Sequence, residues 1–496
     1  MVGQKVSRRN LIRWSVVLGV VGILALGANQ GIAATCRTTA TGNWTDGNWT
    51  NGTPSTSQGA LIGSTSDAAA ATTAQVTLNS SVPGALNIIV GRGSANGDAH
   101  GTLDVMNGGS AVADYKIAVG RGTSGSTGTL NVSGGTLSSR WEGLVVGWEG
   151  STGTVNLSGG TIQSCSDTTK WIGQTLIGES GTGSVYQTGG DFRSSGTVHI
   201  GMQTAGSGLY DLQDGTLTMT CAAVNPSGEE WYTDYQGIRV GDQGDGTLLL
   251  NYTASILEAN GVKKYLSVRE TADATGLLHG SGLIGLTYYL QNSGKVVADG
   301  YGTTNGLNLT SFESVTNAIE NDADNGWYAQ NSGKLRLPGV SVAAGDSSYN
   351  WGESQDDTSI DLVNSLTVDF ANLGSAGTLT ATLLALDRSD VAAAPAGVTF
   401  VSCHNLSLSG ATYDSFDLTM RYDDAAAAGS EGQLGLYHWN GSSWDALGTT
   451  VDQANNLVTA TGVTGMSDFA VGYVPEPATL VVIGLGACLS LCRRCN

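Results

Sequence analysis

Gly128-Thr129-Leu130-Asn131-Val132-Ser133-Gly134-Gly135-Thr136 reads as one short strand and one turn. Leu130 and Val132 fall on one face of an extended chain and Thr129, Asn131 and Ser133 on the other, the alternation of a half-buried strand. The strand stops at Gly134-Gly135, where a turn asks for positive φ that glycine adopts at little cost. Near copies stand at Gly101-Thr102-Leu103-Asp104-Val105 and at Gly153-Thr154-Val155-Asn156-Leu157-Ser158-Gly159-Gly160-Thr161. Weaker copies begin at Gly183, Gly208 and Gly246. Val/Ile-Gly steps form a second series, at Val90-Gly91, Val119-Gly120, Val146-Gly147, Ile177-Gly178, Ile200-Gly201 and Val240-Gly241, with intervals of 29, 27, 31, 23 and 40 residues.

A unit of that length holds two or three short strands, none able to bury its apolar face alone. Stacking the units in register buries it, since neighbouring strands lie about 4.8 Å apart and equivalent residues form ladders. The expectation is therefore an all-β chain whose residues 76–340 form a right-handed parallel β-solenoid, with Leu103, Leu130, Val155 and Val185 in one inward row. An antiparallel array of hairpins is the alternative that Gly-Gly turns permit. Unequal intervals place insertions at Gln163 to Gly173 and Cys221 to Gly237, carrying Trp171, Trp231 and Tyr232. The repeated stretch resembles the solenoid strand repeats of autotransporter passengers.

Asn43-Trp44-Thr45-Asp46-Gly47-Asn48-Trp49-Thr50-Asn51-Gly52-Thr53-Pro54 precedes the first full unit. It resembles the Asn-Trp-Ser/Thr opening of planctomycete-type surface solenoids, and 35–75 is expected to cap the open end, where terminal repeats must differ from the middle. Stacking of the two tryptophans on sugars is the competing role. Past residue 340 the Val/Ile-Gly repeat is gone. Ser365 to Phe370, Thr378 to Ala385 and Ser415 to Tyr422 are strand-like runs separated by turn residues, so 341–472 is expected to be a small β-sandwich. Within it, Trp439 and Trp444 bracket Asn440-Gly441, a hairpin signal across which the two rings pack. This module resembles the β-sandwich that closes many bacterial surface proteins.

The two ends speak about address. Lys5, Arg8, Arg9 and Arg13 precede an apolar run from Ser15 to Gly27, followed by small residues through Ala34, which reads as a signal peptide over 1–34. Arg8-Arg9 within Ser7 to Arg13 also resembles the twin-arginine export motif. At the other end Pro475-Glu476-Pro477 is followed by an uncharged apolar stretch, 478–492, and then Arg493-Arg494. That order resembles the PEP-CTERM sorting signal, here 474–496. The resemblance implies an export translocon, a transient inner-membrane anchor helix at 478–492, and a membrane-embedded sorting protease or transpeptidase that reads the Pro-Glu-Pro motif and passes the protein to the cell surface. A plain C-terminal anchor is the simpler reading, although fifteen residues fall short of the roughly 20 that span a bilayer.

Composition fits an exported chain. Glycine numbers 73 of 496 residues, but not at every third position, and 40% hydrophobic residues suffice for a core. Loss of the four basic signal residues takes the formal charge from −20 to −24, which argues against a nucleic-acid partner. Cys36, Cys165, Cys221 and Cys403 are too far apart for a disulfide framework or a Cys-x-x-Cys metal site and read as isolated thiols.

Catalytic residues on such a fold would stand in the repeat. A glycosidase needs two carboxylates roughly 5 to 10 Å apart, which on a solenoid means acids at equivalent positions of adjacent coils. Asp104 instead aligns with Asn131 and Asn156, as in an asparagine ladder, and Asp211 has Gln187 before it. His100, His199, His279, His404 and His438 show no metal spacing. Acidic glycine turns at Asp242 to Gly246 and Glu320 to Gly326 are the places where structural calcium would bind, but Asx-turn chemistry explains both without an ion. No catalytic, metal or cofactor residue is assigned. The expectation is a non-enzymatic cell-surface or extracellular-matrix protein associated with exopolysaccharide, biofilm or adhesion, as the PEP-CTERM resemblance implies. Against it stands a surface-displayed β-helix polysaccharide lyase or hydrolase, which aligned carboxylates or a Lys-Arg pair on one face would betray. An ice-binding solenoid would need a flat threonine row, and Thr102, Thr129 and Thr154 give three rungs before Ser184 and Leu209 break it.

Overall fold

Thr127–Val132 is a strand whose residues alternate between buried and outward-facing, and it pairs in parallel with His100–Val105 on one side and Thr152–Leu157 on the other. The computed structural model describes residues 35–475 apart from 39, 66–71, 167–172, 221–236, 252, 260–263, 270–274, 288–289, 293, 300–306, 310–318, 322–326, 333, 337–339, 352–365, 385–391, 423 and 428. One coil consists of Lys116–Arg121, Thr127–Val132 and Thr136–Ser139, each hydrogen-bonded to its counterpart in the next coil. Three parallel ladders result, and they build a β-solenoid of about eight turns. Parallel pairing runs from Thr35–Arg37 to Lys334–Arg336.

The inward row of the second ladder follows the register read from the repeat. Leu103 pairs with Leu130, Leu130 with Val155 and Val155 with Val185, all fully buried. The row extends to Val76 at one end and through Tyr210, Leu248 and Leu278 to Val296 at the other. Full burial of such a side chain contributes about 1.5–3 kcal/mol. First-ladder residues Val90, Val119, Val146, Ile177, Ile200 and Val240 form an equivalent row, each paired with the next.

The recurring Val-Gly and Gly-Thr pairs are two halves of one corner. Gly120 has φ of 71°, and a Cβ on it would lie 2.2 Å from the Thr152 carbonyl oxygen. A Cβ on Gly128 would meet the Gly120 nitrogen and the Val90 oxygen, each at 2.2 Å. Two backbones touch where the first ladder gives way to the second, and a side chain on either would force them apart.

Trp44 and Trp49 sit in the first coil at 1% and 6% exposure, with ring centroids 5.1 Å apart. The Trp49 indole donates to the Trp44 carbonyl at 2.8 Å. Rings so enclosed cannot stack on a sugar, and they fill the end of the core instead.

Lys334–Arg336 pairs in parallel with Leu307–Asn308 and antiparallel with Gly377–Leu384, so the third-ladder sheet continues into the C-terminal module. There Gly377–Leu384, Thr399–Ser409, Asp468–Tyr473, Leu434–Trp439 and Trp444–Ala446 pair antiparallel. A second antiparallel sheet joins Gly345–Trp351, Leu366–Leu373, Tyr413–Arg421, Leu457–Val463 and Thr449–Asp452. Phe416 of one sheet meets Phe469 of the other at 6.1 Å between centroids. Trp439 and Trp444 face each other across their hairpin at 5.5 Å. Its loop has four residues rather than the two that Asn-Gly suggests. The Asn440 side-chain oxygen accepts from the Ser442 and Ser443 amides, both at 2.9 Å, which stabilises the wider turn.

Among the described residues no helix is long and apolar enough to cross a membrane. The proposed anchor, 478–492, lies outside them, as do Arg8, Arg9, Glu476, Pro477, Arg493 and Arg494. Pro475 is exposed just beyond Asp468–Tyr473.

Candidate functional site

Because side chains alternate along a strand, each ladder turns every second residue outward, and register stacks these into columns about 4.8 Å apart per rung. On the second ladder one column runs Thr73, His100, Thr127, Thr152, Thr182 and Ser207. The next runs Thr102, Thr129, Thr154 and Ser184 and then breaks at Leu209, as the alignment of units implies. In the third, side-chain hydrogen bonds join Asp104, Asn131 and Asn156, and Gln75 braces Asp104 from the second column. Gln75 donates to Asp104 at 2.5 Å, Asn131 to Asp104 at 2.7 Å, and Asn156 to Asn131 at 2.8 Å. His100 Nδ1 lies 2.9 Å from the Thr127 hydroxyl. The result is a sheet face of fixed hydroxyl, amide and carboxylate groups.

The asparagine column does not continue as the repeat suggests. Asp211 pairs with Tyr186, not Gln187. Gln187 turns inward, fully buried, and accepts from the Tyr210 hydroxyl at 2.7 Å while donating to the Gly190 and Thr216 carbonyls at 3.1 Å each. A polar inward residue is tolerated because every hydrogen-bonding group on it is met.

The outer face of the first ladder differs in kind. Leu61, Ile89 and Ala118 form an apolar column, and Trp148 packs against it. The Arg121 guanidinium lies 3.9 Å and the Lys116 ammonium 4.7 Å from the Trp148 ring centroid. Arg121 also grips Glu149 through two hydrogen bonds of 3.1 Å, and Lys116 meets Glu142 at 2.6 Å. Arg92 occupies the rung beside Arg121.

Farther along the same ladder lies a buried polar cluster that the sequence reading did not find. His199 pairs in register with Arg239, and Arg239 with Ser267. Asp242 gathers Arg269 at 2.7 Å, Arg239 at 3.5 Å and His199 Nδ1 at 3.3 Å. Arg239 Nε donates to the Tyr265 hydroxyl at 2.7 Å, and Arg269 Nε to the Ser267 hydroxyl at 3.0 Å. Burial pushes the Asp242 carboxyl up, but His199, Arg269 and Arg239 outweigh it and hold it well below the usual range. Burial also lowers the His199 pKa, more than Asp242 raises it. With its carboxylate bound by two arginines, Asp242 is not free for calcium, and Asp245 Oδ1 accepts from the Thr275 amide and hydroxyl at 3.0 and 2.8 Å. Nearby Glu179 has its carboxyl pushed up by burial against hydrogen bonds from Ser180 and Gln203. A usable signal was present: the residue before each Val/Ile of the Val-Gly step faces outward, which places His199 and Arg239 in one column.

The remaining sequence candidates are scattered. Cys36, Cys165 and Cys403 are buried, and Cys221 lies outside the described residues. His404 is buried in the C-terminal module, and His438 stacks on Phe469 at 4.7 Å. Among the described residues no group of His, Cys, Asp and Glu has the geometry to hold a metal ion. In comparisons with known proteins the chain matches no family model, no curated protein and no solved structure.

Proposed function

We propose that this is an exported, non-catalytic cell-surface or matrix protein whose right-handed solenoid lies along an exopolysaccharide chain. The observation that supports this most is the second-ladder face. Its three polar columns repeat at a fixed spacing, and the hydrogen bonds joining Gln75, Asp104, Asn131 and Asn156 hold donors and acceptors in place before any ligand arrives. A polymer of hydroxyl groups finds matching partners rung after rung, and little side-chain freedom is lost on binding. Export through the 1–34 signal and surface sorting through 474–496, with 478–492 as a transient anchor helix, belong to the same proposal. Its partners are then the export translocon, the sorting transpeptidase and the glycan.

A glycan array probed with the full chain tests the binding. Thr127→Val, Thr129→Val and Thr154→Val together should weaken every signal, and a chain that binds no glycan would remove the proposal. Changing Pro475, Glu476 and Pro477 to Ala tests the sorting. The variant should stay in the inner membrane with Arg493-Arg494 attached, while intact mass of surface material shows the parent without its tail.

A surface-displayed polysaccharide lyase or hydrolase is the second reading, favoured by one observation. Arg239, Arg269, His199 and Tyr265 gather on one face. Most of that cluster is buried, and only Arg269 is about one-third exposed, so it reads better as a brace between coils. New reducing ends or unsaturated products from an acidic polysaccharide would reverse that preference.

A further inference from the structure

Arg92 is the odd charge on the first ladder. Lys116 is matched by Glu142 and Arg121 by Glu149. Arg92 is half-buried and makes no side-chain hydrogen bond or ion pair among the described residues. It stands in register with Arg121, so two guanidinium-bearing rungs are neighbours about 4.8 Å apart. Burial and the nearby charges of Arg121 and Arg37 both disfavour its charged form, and Glu149 compensates only in part. An unpaired, partly desolvated cation beside another cation is an unfavourable arrangement in a chain of formal charge −20. A bound anion relieves it. Guanidinium forks take planar or tetrahedral oxyanions through paired N–H donors. One rung beyond Arg121, Trp148 carries the Arg121 and Lys116 cations over its ring, so the cationic strip reaches roughly 10 Å from Arg92, two rungs of spacing. Cations spread over that length suit an acidic polymer better than a free ion.

We propose that Arg92, with Arg121 and Trp148 on successive rungs, forms a subsite for the oxyanion group, carboxylate or sulfate, of an acidic polysaccharide. The choice of a polysaccharide rests on the proposed function above; the oxyanion chemistry rests on the arginines.

The full chain, purified in mild detergent, should be titrated with polygalacturonate, dextran sulfate and neutral dextran. The parent should bind one or both polyanions at this subsite and not the neutral polymer there, and the stronger of the two names the group. Arg92→Gln should weaken polyanion binding about ten- to a hundredfold, the value of losing a charge-assisted pair. Arg92→Lys should lie between. Arg193→Gln is the control, because Arg193 is on the third ladder and paired with Asp191. Arg92→Gln should also melt no lower than the parent, which separates a lost ligand contact from a lost fold. Polyanion binding that survives Arg92→Gln overturns the subsite while leaving the glycan reading intact. A parent that binds neither polyanion overturns the subsite as well, and then neutral-glycan binding on the array decides the wider reading separately.

Discussion

Alanine at Gly147 should cost far more than alanine at Gly47, although both glycines have almost the same φ. Their φ values are 71° and 74°. The left-handed conformation alone costs a non-glycine residue about 1–2 kcal/mol, and both variants carry that term. At Gly47 nothing lies within 4 Å of the added methyl group. At Gly147 it would meet the Thr182 oxygen at 2.2 Å and the Gly183 nitrogen at 2.7 Å, backbone atoms of the next coil. Gly183 has no spare room of its own, since a Cβ on it would meet the Gly178 nitrogen at 2.2 Å. Overpacking of this kind adds about 1–3 kcal/mol, so the expected totals are roughly 1–2 kcal/mol for Gly47→Ala and roughly 2–5 for Gly147→Ala. Urea unfolding followed by circular dichroism gives the difference. Hydrogen exchange should place the damage in Gly143–Trp148 and Thr182–Ser194, since repeat arrays transmit strain chiefly to nearest neighbours. Equal losses for the two variants would refute the corner argument.

Tyr210→Phe should destabilise by about 1–3 kcal/mol, because it strands the buried Gln187 oxygen; Gln187→Leu should cost more, as two carbonyls lose their donor too, and chemical denaturation ranks the pair. Trp49→Ala should cost about 3–5 kcal/mol and loosen Thr35–Arg37 and Gly59–Ser64 in hydrogen exchange while leaving sugar binding on the second ladder unchanged. Acid should act in two stages. His199 has a folded pKa below its unfolded value of about 6.5, so its contribution is present above that pH and is lost as pH falls beneath it. Asp242, also depressed, contributes above about pH 3.9 and loses that contribution as pH falls further. Melting scans from pH 7.5 to 3 should show both stages in the parent and only the lower one in His199→Gln.

The sequence carried the inward rows and the turns because strand alternation and glycine sterics are local. The Gly-Thr pair anchors the register of Leu103, Leu130, Val155 and Val185. What is not legible along the chain depends on neighbours in the next coil. Gln187 looked like an outward residue because polar side chains usually are; only Tyr210, one rung away, supplies the hydroxyl that lets it face inward. His199 and Arg239 escaped for the opposite reason. Their column begins with Leu61, Ile89 and Ala118, so it looks like core in the early coils and like surface in the later ones. The Trp439–Trp444 hairpin shows the same limit on a smaller scale: Asn440-Gly441 announced a turn, but Ser442 and Ser443 amides set its width. The common cause is that a solenoid sets each side chain's surroundings through residues about one coil away in sequence. Chemistry such as the Arg92–Arg121–Trp148 row therefore emerges only when successive units are read across the ladder, in the direction of the hydrogen bonds, rather than along the chain.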